Sequence, residues 1–97
     1  MPVFGKCLMD ILFYDKTPAY EREPCQVRLD EKKIVVTYEE DGGYIEYSGK
    51  NDGTGHFELL APGVDGRASL HMFPAGNILE GYWLESGHRG MWRITLA

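Results

Sequence analysis

Four side chains carry the right groups for acid–base or metal chemistry, provided strands bring them together: Glu46, Glu58, His71 and Glu80. Each stands at a polar step of an alternating apolar and polar segment. Antiparallel pairing is expected to set Glu46 opposite Glu58, Glu58 opposite His71, and His71 opposite Glu80. Directly opposed carboxylates cost roughly some tenths of a kcal/mol, so such a row asks for compensation. A cation held by Glu58, His71 and Glu80 would supply it, since their oxygen and nitrogen donors suit zinc or manganese. Alternatively, repulsion would raise one carboxyl pKa toward that of a useful general acid. The plain reading is that the carboxylates splay into water, with Arg93 near Glu80 as a weak surface ion pair.

A second set is aromatic. Tyr38, Tyr47, Phe57, Trp83 and Trp92, with Phe13 beside them, fall on the opposite face of the same segments. Converging there, they either pack solid or line a pocket whose phenol and indole groups orient a small apolar ligand. His88-Arg89 reads as a turn, and His56 as a strand-end residue opposite Ser48. Gly42-Gly43 and Gly53-x-Gly55 read as turns and not phosphate cradles, because neither leads from a strand into a helix. No Ser sits in a nucleophile-elbow pattern. Cys7 and Cys25 read as two free, buried thiols: the register expected for their strands places Cys25 opposite Phe13 and leaves Cys7 several residues away.

The elements that must position these groups are strands. Gly and Pro punctuate the chain every eight to twelve residues, and the segments between alternate with period two and are rich in Val, Ile, Tyr, Phe, Trp and Thr. Eight strands are expected, at 3–14, 24–30, 33–40, 43–49, 54–61, 67–73, 78–85 and 90–96. The stretch 15–23 is the one long connection, with room for a helical turn. Asp41-Gly42 signals a tight hairpin facing Glu40 with Gly43. Asn51-Asp52-Gly53 signals a three-residue loop facing Tyr47 with Phe57. The 62–67 loop faces Leu59 with Leu70, and Gly87-His88 as a two-residue turn faces Trp83 with Trp92. At the start of the chain, Val27 is expected opposite Ile11, and Leu29 opposite both Met9 and Ile34. These joins leave one apolar face running from the first strand to the last. The expected fold is therefore all-β, an eight-stranded antiparallel meander closed into a small barrel, with a two-sheet sandwich as the alternative.

Ninety-seven residues make one domain, 1–97, and no apolar run approaches a membrane-spanning helix. A net charge of −5 disfavours phosphate backbones and anionic lipid, so neither nucleic acid nor membrane is an expected partner. The first residues lack the features of a secretory signal, which makes a cytoplasmic location the expectation. No cofactor is implied.

The closing hairpin, Gly81-Tyr82-Trp83 followed by Gly90-Met91-Trp92-Arg93-Ile94-Thr95-Leu96, resembles the calycin superfamily of lipocalin, fatty-acid-binding and avidin-type barrels when set in an eight-stranded up-and-down meander. The resemblance implies a small ligand-binding barrel. Lipocalins carry Gly-x-Trp on their first strand, where this chain has Gly5-Lys6-Cys7 without the Trp. The leading expectation is a non-catalytic binding protein, taking a small apolar molecule in the barrel or a protein partner on its surface. Tyr82, Leu84 and Met91 on the outer face of the last hairpin are the candidate homodimer contact. One competing expectation is an enzyme or metal-dependent protein using the Glu/His row; another is an acidic inhibitor or immunity-type protein that caps a basic partner.

Overall fold

A computed structural model of the chain describes residues 3–97. Eight strands follow one another: β1 (Val3–Phe13), β2 (Tyr20–Leu29), β3 (Lys33–Glu40), β4 (Gly43–Lys50), β5 (His56–Ala61), β6 (Gly66–His71), β7 (Ile78–Glu85) and β8 (His88–Thr95). A single 3-10 turn at Pro62–Val64 joins β5 to β6. Each strand pairs antiparallel with the next, and β8 closes on β1, from Leu8 opposite Thr95 to Phe13 opposite Gly90. Closure leaves no edge strand among the described residues, although β4 and β5 are laddered only where Ser48 faces Leu60 and Gly49 faces Leu59. Among the described residues no helix is long and apolar enough to cross a membrane.

Period-two alternation decides what is inside. Met9, Val27, Ile34, Val36, Tyr47, Leu59, Leu70, Leu79, Trp92 and Ile94 are all but fully buried, and they form one continuous core with Phe57, Trp83 and the two cysteines. Their strand neighbours point outward, as in β5, where exposed His56, Glu58 and Leu60 alternate with buried Phe57, Leu59 and Ala61.

Registers at three joins are those expected. Leu29 faces Ile34, Glu40 faces Gly43 across the Asp41-Gly42 turn, and His71 faces Glu80. At three other joins, β4–β5, β5–β6 and β7–β8, the strands have slid by an even number of residues, which keeps their apolar side chains inside while changing their partners. Between β4 and β5, Gly49 faces Leu59, so Tyr47 does not face Phe57. Between β5 and β6, Phe57 faces Leu70. Between β7 and β8 the turn is Ser86-Gly87, both with positive φ, at 50° and 86°, and not Gly87-His88. Trp83 consequently faces Gly90, and Trp92 faces Gly81. The glycines explain the slip: each leaves an indole the space that a facing side chain would fill, and a Cβ at Gly81 or Gly90 would run into the carbonyl of the neighbouring strand, Ser69 or Leu12 respectively.

The largest departure is at β1 and β2. Cys7 faces Cys25 directly, and Met9 faces Glu23, with irregularities on both sides of this stretch. Arg22 takes positive φ, 57°, and its backbone N–H donates to Asp10 Oδ1 at 3.0 Å. This pinned bulge lets β2 begin at Tyr20, so the last four residues of the expected 15–23 connection are strand and the rest holds no helix. The cysteines are free and buried, but they are neighbours and not several residues apart.

Candidate ligand-binding site

The barrel interior is filled at one end and open at the other. Around the β1–β2 connection and the β3–β4 and β7–β8 hairpins lies a cavity of about 670 Å³. Its walls include Met9, Ile11, Phe13, Tyr38, Trp83 and Trp92, and its rim includes Thr17, Tyr20, Glu23, Glu39, Glu40 and His88. This volume is within the range of small-molecule sites, roughly 300–1,000 Å³.

The aromatic wall is held by edge-to-face and stacked contacts. Trp92 meets Tyr47 at 4.8 Å and Tyr38 at 6.0 Å between ring centroids, both T-shaped. Trp83 stacks on Trp92 at 6.3 Å and receives Phe13 edge-on at 5.2 Å. Such geometry fixes ring orientations beyond what burial alone does.

One carboxylate enters this wall. Glu85, the last residue of β7, accepts hydrogen bonds from Tyr38 Oη at 2.9 Å and Tyr47 Oη at 2.6 Å, both on Oε1. Burial, then the bond to Glu85 and its negative charge, hold both phenols well above the usual tyrosine range. Burial also raises the Glu40 carboxyl, with the charges of Glu85 and Asp41 adding to the effect. Trp83 is only 4% exposed, and its indole Nε1 has no hydrogen-bond partner.

Of the aromatic residues singled out in the sequence, Tyr38, Trp83 and Trp92 line the cavity. Tyr47 is fully buried behind the lining, packed on Tyr38 and Trp92 and bonded to Glu85, and Phe57 lies in the packed core away from the lining. Glu85 escaped notice, although its position two residues after inward-facing Trp83 places it on the inner face by alternation. The rim residues Tyr20 and Glu23 lie in the stretch read as a connection, so no alternation could be assigned to them.

The outer row does not assemble as expected. Glu46 faces Thr37 and Glu58 faces Ser69, while His71 keeps Glu80 opposite it. The slide at β4–β5 separates Glu46 from Glu58, and the slide at β5–β6 replaces His71 with Ser69 opposite Glu58. A different cluster results. His56 Nδ1 and His71 Nε2 are 2.7 Å apart, His56 Nε2 is 2.9 Å from Glu58 Oε1, and Ser69 Oγ donates to the same oxygen at 2.6 Å. The Ser69 bond, followed by the His56 contact, holds the Glu58 carboxyl below its usual range. Glu80 instead pairs with Arg93 at 2.9 Å. Among the described residues no group of three or more His, Cys, Asp or Glu is arranged to hold a metal ion. Tyr82 and Met91 face each other on the outer wall, with Leu84 farther along β7 opposite Arg89.

At the packed end, burial first, then the neighbouring Cys7, pushes the Cys25 thiol up to about 12. A buried Cys25 thiol held that high is not poised as a nucleophile. Comparison with known proteins finds no matching family model, no matching curated protein and no matching solved structure.

Proposed function

We propose that this protein binds a small, largely apolar molecule in the open end of its barrel, in the manner of calycin-type barrels, without transforming it. The observation that carries this reading is the cavity of about 670 Å³, walled by Phe13, Tyr38, Trp83 and Trp92 with the Glu85 carboxylate hydrogen-bonded into that wall. Apolar walls supply the free energy, at about 25 cal/mol per Å² removed from water, and a few fixed polar groups orient the ligand. The outer cluster supports a catalytic role less well. Glu58 is 68% exposed there, on the outer wall of the barrel, where water screens the carboxylate and competes for its hydrogen bonds.

Both tryptophans of the chain stand on the cavity wall, so their indole N–H resonances report on occupancy directly. Titration with a neutral arylalkyl alcohol such as 4-phenylbutanol should shift both indole signals and saturate at one molecule per chain. Shifts confined to outer residues such as Tyr44 and Leu60, with the indoles unmoved, would refute the reading. Native mass spectrometry of freshly purified protein then reports the mass of any retained ligand.

A further inference from the structure

The charge around the opening narrows the ligand class. Four carboxylates line the cavity, Glu23, Glu39, Glu40 and Glu85, against one basic side chain, His88, and no Lys or Arg. Among the described residues none of the four takes part in a salt bridge; the recorded pairs involve Glu58 and Glu80 on the outer wall. Glu85 takes both tyrosine bonds on Oε1, leaving Oε2 without a hydrogen bond among the described residues. A second feature is independent of these carboxylates: Trp83, nine-tenths buried in the same wall, keeps an indole N–H with no acceptor.

Resting on the binding reading above, we propose that the natural ligand is a cationic amine, seated with its ammonium group beside the Glu85 carboxylate and the half-buried ring of Tyr38. Electron-rich ring faces attract a cation, and a carboxylate behind them neutralises it in a site partly withdrawn from water. A fatty acid or other anionic ligand would meet four like charges with only His88 to offset them. The rest of the ligand is aryl or alkyl, matching Phe13, Ile11 and Met9.

The test uses one hydrocarbon with three head groups: 4-phenylbutylamine, 4-phenylbutanol and 5-phenylpentanoate, followed through the indole resonances and by calorimetry at low salt. The amine should bind roughly tenfold tighter than the alcohol, and the carboxylate more weakly than either. In Glu85→Gln, whose amide oxygen still accepts the tyrosine bonds, the preference for amine over alcohol should shrink to within roughly threefold while alcohol binding persists. Glu40→Gln, which leaves the Tyr38 and Tyr47 contacts untouched, should reduce the preference in part. Equal binding of amine and alcohol, or tighter binding of the carboxylate, would overturn the amine assignment and leave the binding reading standing. Binding of none of the three would overturn both. Calcium chloride that shifts the indole signals and competes with the amine would replace the amine with a divalent cation.

Discussion

Glu85 and Glu58 are each met by two polar side chains on a single oxygen, yet one stands inside the barrel and the other outside. Glu85 accepts from the buried Tyr47 phenol and the half-buried Tyr38 phenol in an aromatic wall; Glu58 accepts from Ser69 and touches His56 on the outer surface. The hydrogen-bond lengths are alike, from 2.6 to 2.9 Å in both clusters. What differs is the surroundings. Inside, water is limited, the charge acts on its neighbours at low effective dielectric, and the tyrosines are pushed far from their ordinary ionisation. Outside, water screens the same arrangement. A carboxylate with donors is therefore only a potential site, and concavity decides how much it can do.

The widest expected contrast compares sequence neighbours on opposite sides of the wall. Trp92→Ala removes the ring on which Tyr38 and Tyr47 rest and should cost about 3–5 kcal/mol in urea unfolding. Arg93→Ala breaks only an exposed ion pair to Glu80 and should cost less than about 1 kcal/mol. A comparable loss from both would mean that the outer wall is as tightly coupled as the inner one. Next in size is the removal of one donor from each carboxylate. Tyr47→Phe should cost about 1.5–3 kcal/mol, because the lost bond goes to a charged, part-buried acceptor. Ser69→Ala should cost well under that, since water replaces the hydroxyl. Equal losses would erase the distinction between the clusters.

The barrel was legible in the sequence because alternation reports the face on which each side chain lies. It does not report how far one strand has slid along the next. Sliding by two residues returns every side chain to its own face, so the apolar lining survives any such slip while facing partners change. The interior aromatics were accordingly identified, whereas the outer row was not: Glu46, Glu58 and His71 depended on partners that face parity cannot fix. Turn chemistry fixed the slide only where one reading was available, as at Asp41-Gly42. At Ser86-Gly87-His88 two tight turns competed, and the mutual fit of Trp83 with Gly90 and Trp92 with Gly81 decided between them. The bulge at Arg22 had no local signal, because its cause is the Asp10 carboxylate on another strand. With it went the pairing of Cys7 with Cys25 and the placement of Tyr20 and Glu23 at the rim.

The smallest effect expected is the pH dependence carried by Glu58, and it tests the comparison from its weak side. The carboxyl is held below its ordinary range by Ser69 and His56 in the folded protein, so it binds protons less readily there than in the unfolded chain. Its contribution is thus present above the ordinary glutamate pKa and is lost as pH falls through the depressed folded value. Because the side chain is 68% exposed, screening keeps that contribution to about a few tenths of a kcal/mol. Urea unfolding of the wild type and Glu58→Gln should accordingly differ slightly at neutral pH, and the difference should close in acid. A gap above about 1 kcal/mol at neutral pH would show that the outer cluster is shielded from water as the inner one is, and would erase the contrast between Glu58 and Glu85.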